Sequence, residues 1–596
     1  MAKQKVTDTI SPTAAVRAVE NPIICNPFDE PRKHWFYRTD GEPILLEERR
    51  KASYWYKTQK AYTTQTSLFA TEESDELPLI NKLRDDVRRW RTSKYELASP
   101  ITKKLLEHWN NPERERRLFF CQREAVETII YITEILASGR KPRWNTELSL
   151  DDYQKLKTNA VPDFMRHINK ERAIMPTLTD VPNDGDFPSL VRYGCKMATG
   201  SGKTVVMSML IAWAFCNRAA QPSDKRFPDA VLILCPNLTI RERLQVLRPD
   251  IIDNYYVKFN IVPSLLMPML QKGSVHIGNW HQLAPESPHS EGGESYRIVN
   301  KGDEGPQAFA KRILGELYDK GPIMILNDEG HHAYRPKPLP PEIIEQLTEE
   351  ERKEREEATV WVSGIDRINA ACGVQLCVDL SATPFYIAGS GFPEGSPFPW
   401  LVSDFGLVDA IESGITKIPR IPVSDQTGLP IPKYFDLWKH INENLVAGQK
   451  LPGGRPRPEV VWTRANDALL QLGSQYKERY EYYINSDPTK LAIPPAMIVV
   501  CDNTNIAELF YLNISGETTV EREEIITRGK KKGETKIVKT REFGNGQLFP
   551  ELFSNTKSSI FTLRIDSKTI EDTDTEEGLN KDEAKKQLRN LVDTVG

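Results

Sequence analysis

Apolar residues recur three and four apart at Ile80, Leu83, Val87 and Trp90, a spacing that predicts a helix. Leu105, Leu106 and Trp109, following Pro100, predict a second. Within RLFFCQREAVETIIYITEIL, the positions Phe120, Ala125, Ile129, Ile130 and Ile132 predict a longer amphipathic one. The first 70 residues are rich in Pro, Arg and aromatics and keep no sustained period, so an irregular packed arm is expected there. Residues 139–190 are polar and punctuated by Pro and Gly, as in an insertion or loop-rich connector. The pattern changes between 191 and 390. Short continuous apolar runs, VLILCP at 231, SVHIGNW at 274, IMILND at 323 and LCVDLSATP at 376, alternate with longer stretches. Such runs predict strands buried on both faces, the mark of a parallel sheet covered by helices.

The charged segment PPEIIEQLTEEERKEREEATV (340–360) reads as a solvated helix. Further on, AMIVVCDNTNIAELFYL (496–512) predicts strand, turn and helix, opening another parallel-sheet unit. VEREEIITRGKKKGETKIVKTREF predicts a two-stranded insertion with a Gly/Lys turn, and a strand-like IFTLRIDS leads into the acidic EDTDTEEGLNKDEAKK. No internal repeat is visible.

Composition narrows the class. At 596 residues the chain needs more than one core, given roughly 100 to 200 residues per domain. Its 39% hydrophobic and 27% charged content excludes wholesale disorder and fibrous architecture. No apolar stretch approaches the roughly 20 residues needed to cross a bilayer, and MAKQKVTDTISPTAAV lacks a secretory core, so a cytoplasmic, non-membrane protein is expected. Eight scattered cysteines show no zinc-ribbon pair and read as reduced core residues. A net charge of -4 gives no global attraction to a polyanion, so any nucleic-acid contact must be a local basic surface.

Two stretches carry chemistry. TGSGKT (199–204) ends a strand-like segment and starts a long apolar helix. Gly200, Ser201 and Gly202 let backbone amides converge on a phosphate, Lys203 would reach the β and γ phosphates, and the Thr204 hydroxyl would ligand Mg2+. Met197 stands where the full phosphate-loop pattern has its first glycine. In IMILNDEGHHAY, Asp328 would hold the same Mg2+ through water and Glu329 would orient and deprotonate an attacking water. Acids at a strand's carboxyl end suit the place where open α/β sheets bind ligands. His331 and His332 do not follow a helical zinc spacing.

Taken in order, MATGSGKT, DEGH and LSATPF (380–385) resemble motifs I, II and III of superfamily 2 DExH (DEAD/DEAH box) helicases and translocases. NPFDEPRKHW, FFCQREAVET, LILCPNLTIRERL, FGLVDAIESGITKIPRIPV and VVCDNTNIAELF extend the resemblance, from about residue 22 to 570, to the Res subunit of type III restriction enzymes and its relatives in phage defence. The resemblance implies an α/β fold of two RecA-like P-loop NTPase lobes, with an N-terminal extension and insertions. Residues 1–110 would form the arm and its helices, 111–395 the ATP-binding lobe with its insertion at about 139–190, 396–490 a linker, and 491–596 the start of an incomplete second lobe. It implies that Gln122 reads the adenine edge and that His331, Ser381 and Thr383 couple the γ phosphate to strand binding. Asn237, Thr239 and Arg241 would grip a DNA backbone together with the Trp280–His281 turn.

The family's late Q-x-x-G-R-x-x-R motif and the T-E-G-W-D-type motif before it are absent, and Arg522, Arg528, Arg541, Arg564 and Arg589 have no matching context. Because an arginine finger contributes about 10³ to 10⁵ in turnover, the chain is expected to bind ATP yet hydrolyse it poorly alone. The expected function is a DNA-stimulated, ATP- and Mg2+-dependent translocase or helicase module of a type III restriction-like or phage-defence system. A methyltransferase subunit, or a chain supplying the rest of the second lobe and the nuclease, would be its partner. An ATP-binding switch without turnover and an RNA helicase are the alternatives. The recognition sequence, polarity and oligomeric state leave no trace in the sequence.

Overall fold

The computed structural model describes residues 19–37, 42–57, 72–166, 174–182, 186–284, 304–418, 437–451, 454–486, 495–525 and 535–565. The chain divides into two compact units, residues 1–418 and 419–596.

The first unit opens with two short antiparallel pairs, β1 (His34–Phe36) with β2 (Ile44–Leu46) and β3 (Ser53–Lys57) with β4 (Glu72–Glu76). The arm expected to be irregular is therefore partly strand, in runs of three to five residues, too short to display a period. Helices α1 (Pro78–Thr92), α2 (Pro100–Asn110) and α3 (Phe120–Ile130) follow where the spacing placed them. Pro sits in the first turn of α1 and α2, and Ser99 caps α2 by accepting from the Thr102 amide.

The stretch 139–190 is less loop-like than its polarity suggests. It carries α4 (Leu150–Lys157), capped by Ser149, and β5 (Thr179–Asp180), which pairs antiparallel with β6 (Leu190–Met197). Leu148, Tyr153, Leu156 and Leu178 are buried in the main core. A handful of apolar anchors is enough to seat a mostly polar segment.

The remaining strands are β7 (Ala230–Cys235), β8 (Ser274–Asn279), β9 (Ile323–Asp328), β10 (Val374–Ser381) and β11 (Leu401–Phe405). They join β6 in a parallel sheet of order β11-β6-β10-β9-β7-β8. Residues Val231–Leu234 and Ile323–Leu326 are all 0% exposed, which requires cover on both faces. One face, with Val231, Ile233, Met324 and Leu326, packs against α5 (Lys203–Ala220). The other, with Leu232, Leu234, Ile323 and Ile325, packs against the helix Glu349–Cys372 through Trp361, Ile365 and Ile368. The segment expected as one solvated helix is thus two pieces, a short helix Pro341–Gln346 and, after a break at Thr348, the start of the longer helix whose later turns are core.

In the second unit, the helices Pro458–Ile484 and Thr504–Ser515 pack through Trp462, Leu469, Ile506 and Phe510. The predicted ribbon is present as β12 (Glu517–Ile525) paired with β13 (Thr535–Phe543). The predicted strand at 496–500 is not: this run pairs with no strand among the described residues, with Ile498 71% and Val500 90% exposed. The helix after it forms, capped by Asn503. Residues 560–565 likewise form no strand, and the acidic stretch after them lies outside the described residues. Among the described residues of this unit, the only strand pairing is the antiparallel ribbon. No described helix is long and apolar enough to cross a membrane.

Candidate nucleotide site

The strand order sets up the site. β6 and β9, whose carboxyl ends carry the glycine loop and the acid pair, flank β10, and the register places Lys196 beside Ser381 and Leu380 beside Asp328. Gly200 and Gly202 adopt φ of 84° and 88°, a conformation open to glycine at little cost. The turn is closed by Ser201, whose amide and hydroxyl both donate to the Ala198 carbonyl, at 3.1 and 2.6 Å. Lys203 and Thr204 begin α5, where first-turn amides lack intrahelical acceptors and the dipole favours an anion.

Lys203 and Glu329, 126 residues apart, form a direct ion pair between the Lys203 ammonium and the Glu329 carboxylate. Glu329 reaches it from a left-handed backbone, φ 50°, a conformation costing about 1 kcal/mol for a non-glycine residue. Its other oxygen lies 3.4 Å from His331 Nδ1. Asp328 is 8% exposed, and burial pushes its carboxyl up to about 6, with Lys203 pulling the other way. His331 Nδ1 lies 2.9 Å from Ser381 Oγ, which accepts from the Thr383 amide at 3.0 Å. Burial, helped by His332, pushes His331 down to about 4, so at neutral pH it is an uncharged imidazole.

Gln122 sits on the loop itself. Its Nε2 donates to the Ser201 carbonyl at 2.9 Å and its Oε1 accepts from the Phe119 amide at 3.0 Å, so both ends of the amide are engaged with protein. A Cβ on Gly202 would lie 2.2 Å from that Nε2. The residues proposed for a strand backbone gather at a different place, the carboxyl ends of β7 and β8. Asn237 caps helix α6 (Leu238–Leu244), accepting from the Ile240 amide at 2.9 Å. Thr239 and Arg241 lie on that helix, Arg241 3.7 Å from Glu242, while the Trp280 and His281 rings stack at 3.9 Å in the turn after β8.

Residues 147–386, which hold the glycine loop, the acid pair and Ser381–Thr383, match the family described as type III restriction enzyme, res subunit. This segment is a Res domain. The Res domain is RecA-like and of the superfamily 2 helicase family, so the parallel sheet and the order of its motifs are those of a helicase-family ATPase. The match covers less than half of the chain. No curated protein matched the chain.

The structure adds residues to the Res domain site that the sequence did not mark. Thr416 Oγ1 donates to the Thr199 carbonyl at 3.1 Å, and the loop's underside packs on Cys121, Phe405 and Ala410. Thr416 lies in FGLVDAIESGITKIPRIPV, which carries the resemblance but gives that residue no role, and it follows the loop by over 200 residues. Glu357 is another: it is 15% exposed, 3.5 Å from His332 Nδ1, and burial with Glu354 pushes its carboxyl up to about 7. Burial also lowers the His332 pKa, so the contact joins a neutral imidazole to an acid and is no ion pair. A carboxyl raised in the folded state favours folding below its unfolded pKa, 4.5, and loses that contribution as pH rises through 7. Glu357→Gln is therefore expected to raise the melting temperature at pH 8, by a stabilisation on the order of 2 kcal/mol, and to change it little at pH 4. Equal melting shifts at both pH values would contradict this.

Proposed function

We propose that this chain is an ATP- and Mg2+-dependent DNA translocase or helicase module of a type III restriction-like or phage-defence system. The observation that carries the reading is the Lys203–Glu329 contact: it brings the phosphate-loop lysine and the acid pair to one point at the tips of β6 and β9. Thr204 follows one partner and Asp328 precedes the other, so a hard oxygen ligand arrives from each side. Among the described residues no three His, Cys, Asp or Glu side chains gather into a metal cage. That donor set suits Mg2+, which takes one or two protein oxygens and completes its shell with phosphate and water. When bound, Mg2+ would neutralise charge on the β and γ phosphates.

The chain's own residues do the rest. Phosphate binding competes with Glu329 for the Lys203 ammonium. Once released, the Glu329 carboxylate is free to orient the attacking water and take its proton. Neutral His331, with Ser381 and Thr383 behind it, links the γ-phosphate side of the site to β10. Gln122 would turn from Ser201 toward the adenine edge. Asn237, Thr239 and Arg241 on the β7 side, with Trp280 and His281 on the β8 side, would meet a nucleic-acid backbone at the same end of the sheet.

The test is ATP hydrolysis by the full chain with single-stranded DNA, duplex DNA and RNA. DNA is expected to stimulate turnover by about tenfold or more, from a basal rate kept low by the missing arginine motif. A trace that stays flat with every nucleic acid would sink the motor reading. The unpaired run at 496–500 favours a second one, an ATP-binding switch that docks a partner, because no second parallel sheet is built among the described residues. Tight ATP binding without turnover, even with DNA, would support it.

A further inference from the structure

Beneath the site, on the side away from α5, three adjacent strands are tied together by buried polar side chains that the proposed chemistry does not use. Arg192 on β6 is 0% exposed, Asp379 on β10 1% and Asn327 on β9 0%. Arg192 donates Nε to Asp379 Oδ2 at 2.8 Å and Nη1 to Asp180 Oδ2 at 2.9 Å, and its Nη2 donates to the Ala333 carbonyl. Its guanidinium lies 4.2 Å over the Trp400 ring. Asp379 also accepts from Trp400 Nε1 and from Asn327 Nδ2, each at 2.7 Å, and Asn327 Oδ1 accepts from Trp361 Nε1 at 3.1 Å. Farther out, Arg335 joins Asp180 at 3.3 Å to Asp366 at 2.6 Å.

Such a network is a poor way to gain stability. Dehydrating buried ions offsets most of their attraction, and well-packed apolar residues commonly do as well. What it supplies is geometry, because every donor and acceptor fixes a neighbour's place. The fixed places are those of the site. Asn327 precedes Asp328, Asp379 stands two residues before Ser381 on the same strand face, and the Ala333 carbonyl belongs to the residue after His332. Gly330 is clamped from the same side, since a Cβ there would lie 2.6 Å from the Asp379 Cβ.

We propose that Arg192 and Asp379 are positioning residues for ATP hydrolysis, locking the tips of β6, β10 and β9 into one frame so that Asp328, Glu329 and His331 hold fixed places relative to Ser381. The inference rests on the ATPase reading above. Neither residue touches the nucleotide; both act through the loop that follows β9.

Asp379→Asn keeps the shape but removes the counter-charge of Arg192 and sets one amide N–H against another donor. Arg192→Lys keeps the charge but cannot reach all three acceptors. In the full chain with saturating DNA, each is expected to lower kcat by about tenfold or more, while KM for ATP and the affinity for an ADP fluorophore stay within about twofold. In the nucleotide-free protein, hydrogen exchange is expected to rise in the peptide spanning 328–336 and to stay unchanged in α2 and α4. A uniform rise across the first unit, or kcat and KM moving together, would reduce the network to a stability element and overturn the proposal. Unchanged kcat and unchanged exchange would overturn it as well. A wild-type chain that binds nucleotide without turning it over defeats the ATPase reading instead; localised exchange in the two variants then upholds the frame, and its absence refutes it.

Discussion

Glu329→Gln is expected to cut ATP turnover by about 10² to 10⁴ while nucleotide binding is retained or tightened. The amide cannot take a proton from water, so the chemical step fails. It also cannot pair ionically with Lys203, so the ammonium that Glu329 holds becomes available to phosphate. Single-turnover hydrolysis alongside equilibrium binding of a fluorescent ATP analogue checks both halves. Turnover within threefold of wild type would remove Glu329 from the chemistry, and weakened binding would remove the competition for Lys203.

Lys203→Ala is expected to act on binding. Losing the only side-chain cation of the glycine loop should weaken MgATP binding by about 100-fold or more, the loss of a charge-assisted phosphate contact, and abolish turnover at cellular ATP. Stability should hardly change, because Lys203 and Glu329 are both partly exposed, at 15% and 28%, and such pairs contribute about 1 kcal/mol or less. Calorimetric titration with MgATP, run beside a thermal melt, separates lost affinity from lost fold. Undiminished heat of binding in Lys203→Ala would place the nucleotide elsewhere.

Much of the first unit was legible because its elements are long or unambiguous. Ile80 to Trp90 completes three helical turns, and the runs 231–235 and 323–326 are apolar at every position. The short pairs β1–β2 and β3–β4 were not, since three to five residues span too little of a period to register. The run at 496–500 misled for a physical reason. Apolar, β-branched residues state a preference for a sheet, but a strand exists only with a neighbour to pair with, and none of the described residues supplies one.

The site divides along the same line. Lys203, Asp328 and Glu329 were readable because each sits in a short motif whose chemistry is local. Ser381 and His331 were readable only through family resemblance, and the 2.9 Å between them is a fact of the β9–β10 register. Asn237 was assigned to a nucleic-acid backbone, yet its side-chain oxygen is committed to capping α6. Gln122 was assigned to adenine and is found holding the loop. Arg192 with Asp379 and Thr416 with Thr199 were invisible, because pairs separated by 187 and 217 residues leave no mark in either neighbourhood.

The arm ahead of α1 sets the smallest piece of this protein that can be prepared. Arg49 chelates Glu124 at 2.6 Å and 2.7 Å, Arg50 holds Glu412 at 2.6 Å, and the amides of Ile24 and Cys25 both donate to the Glu412 carbonyl. A fragment started at Pro78 would keep both interior carboxylates and discard their hydrogen-bonded counter-ions. Stranding one such charge costs about 3 to 5 kcal/mol, a large part of the 5 to 15 kcal/mol or so that holds a domain folded. A version begun at Pro78 is therefore expected to aggregate, and a tractable one has to begin upstream of Ile23.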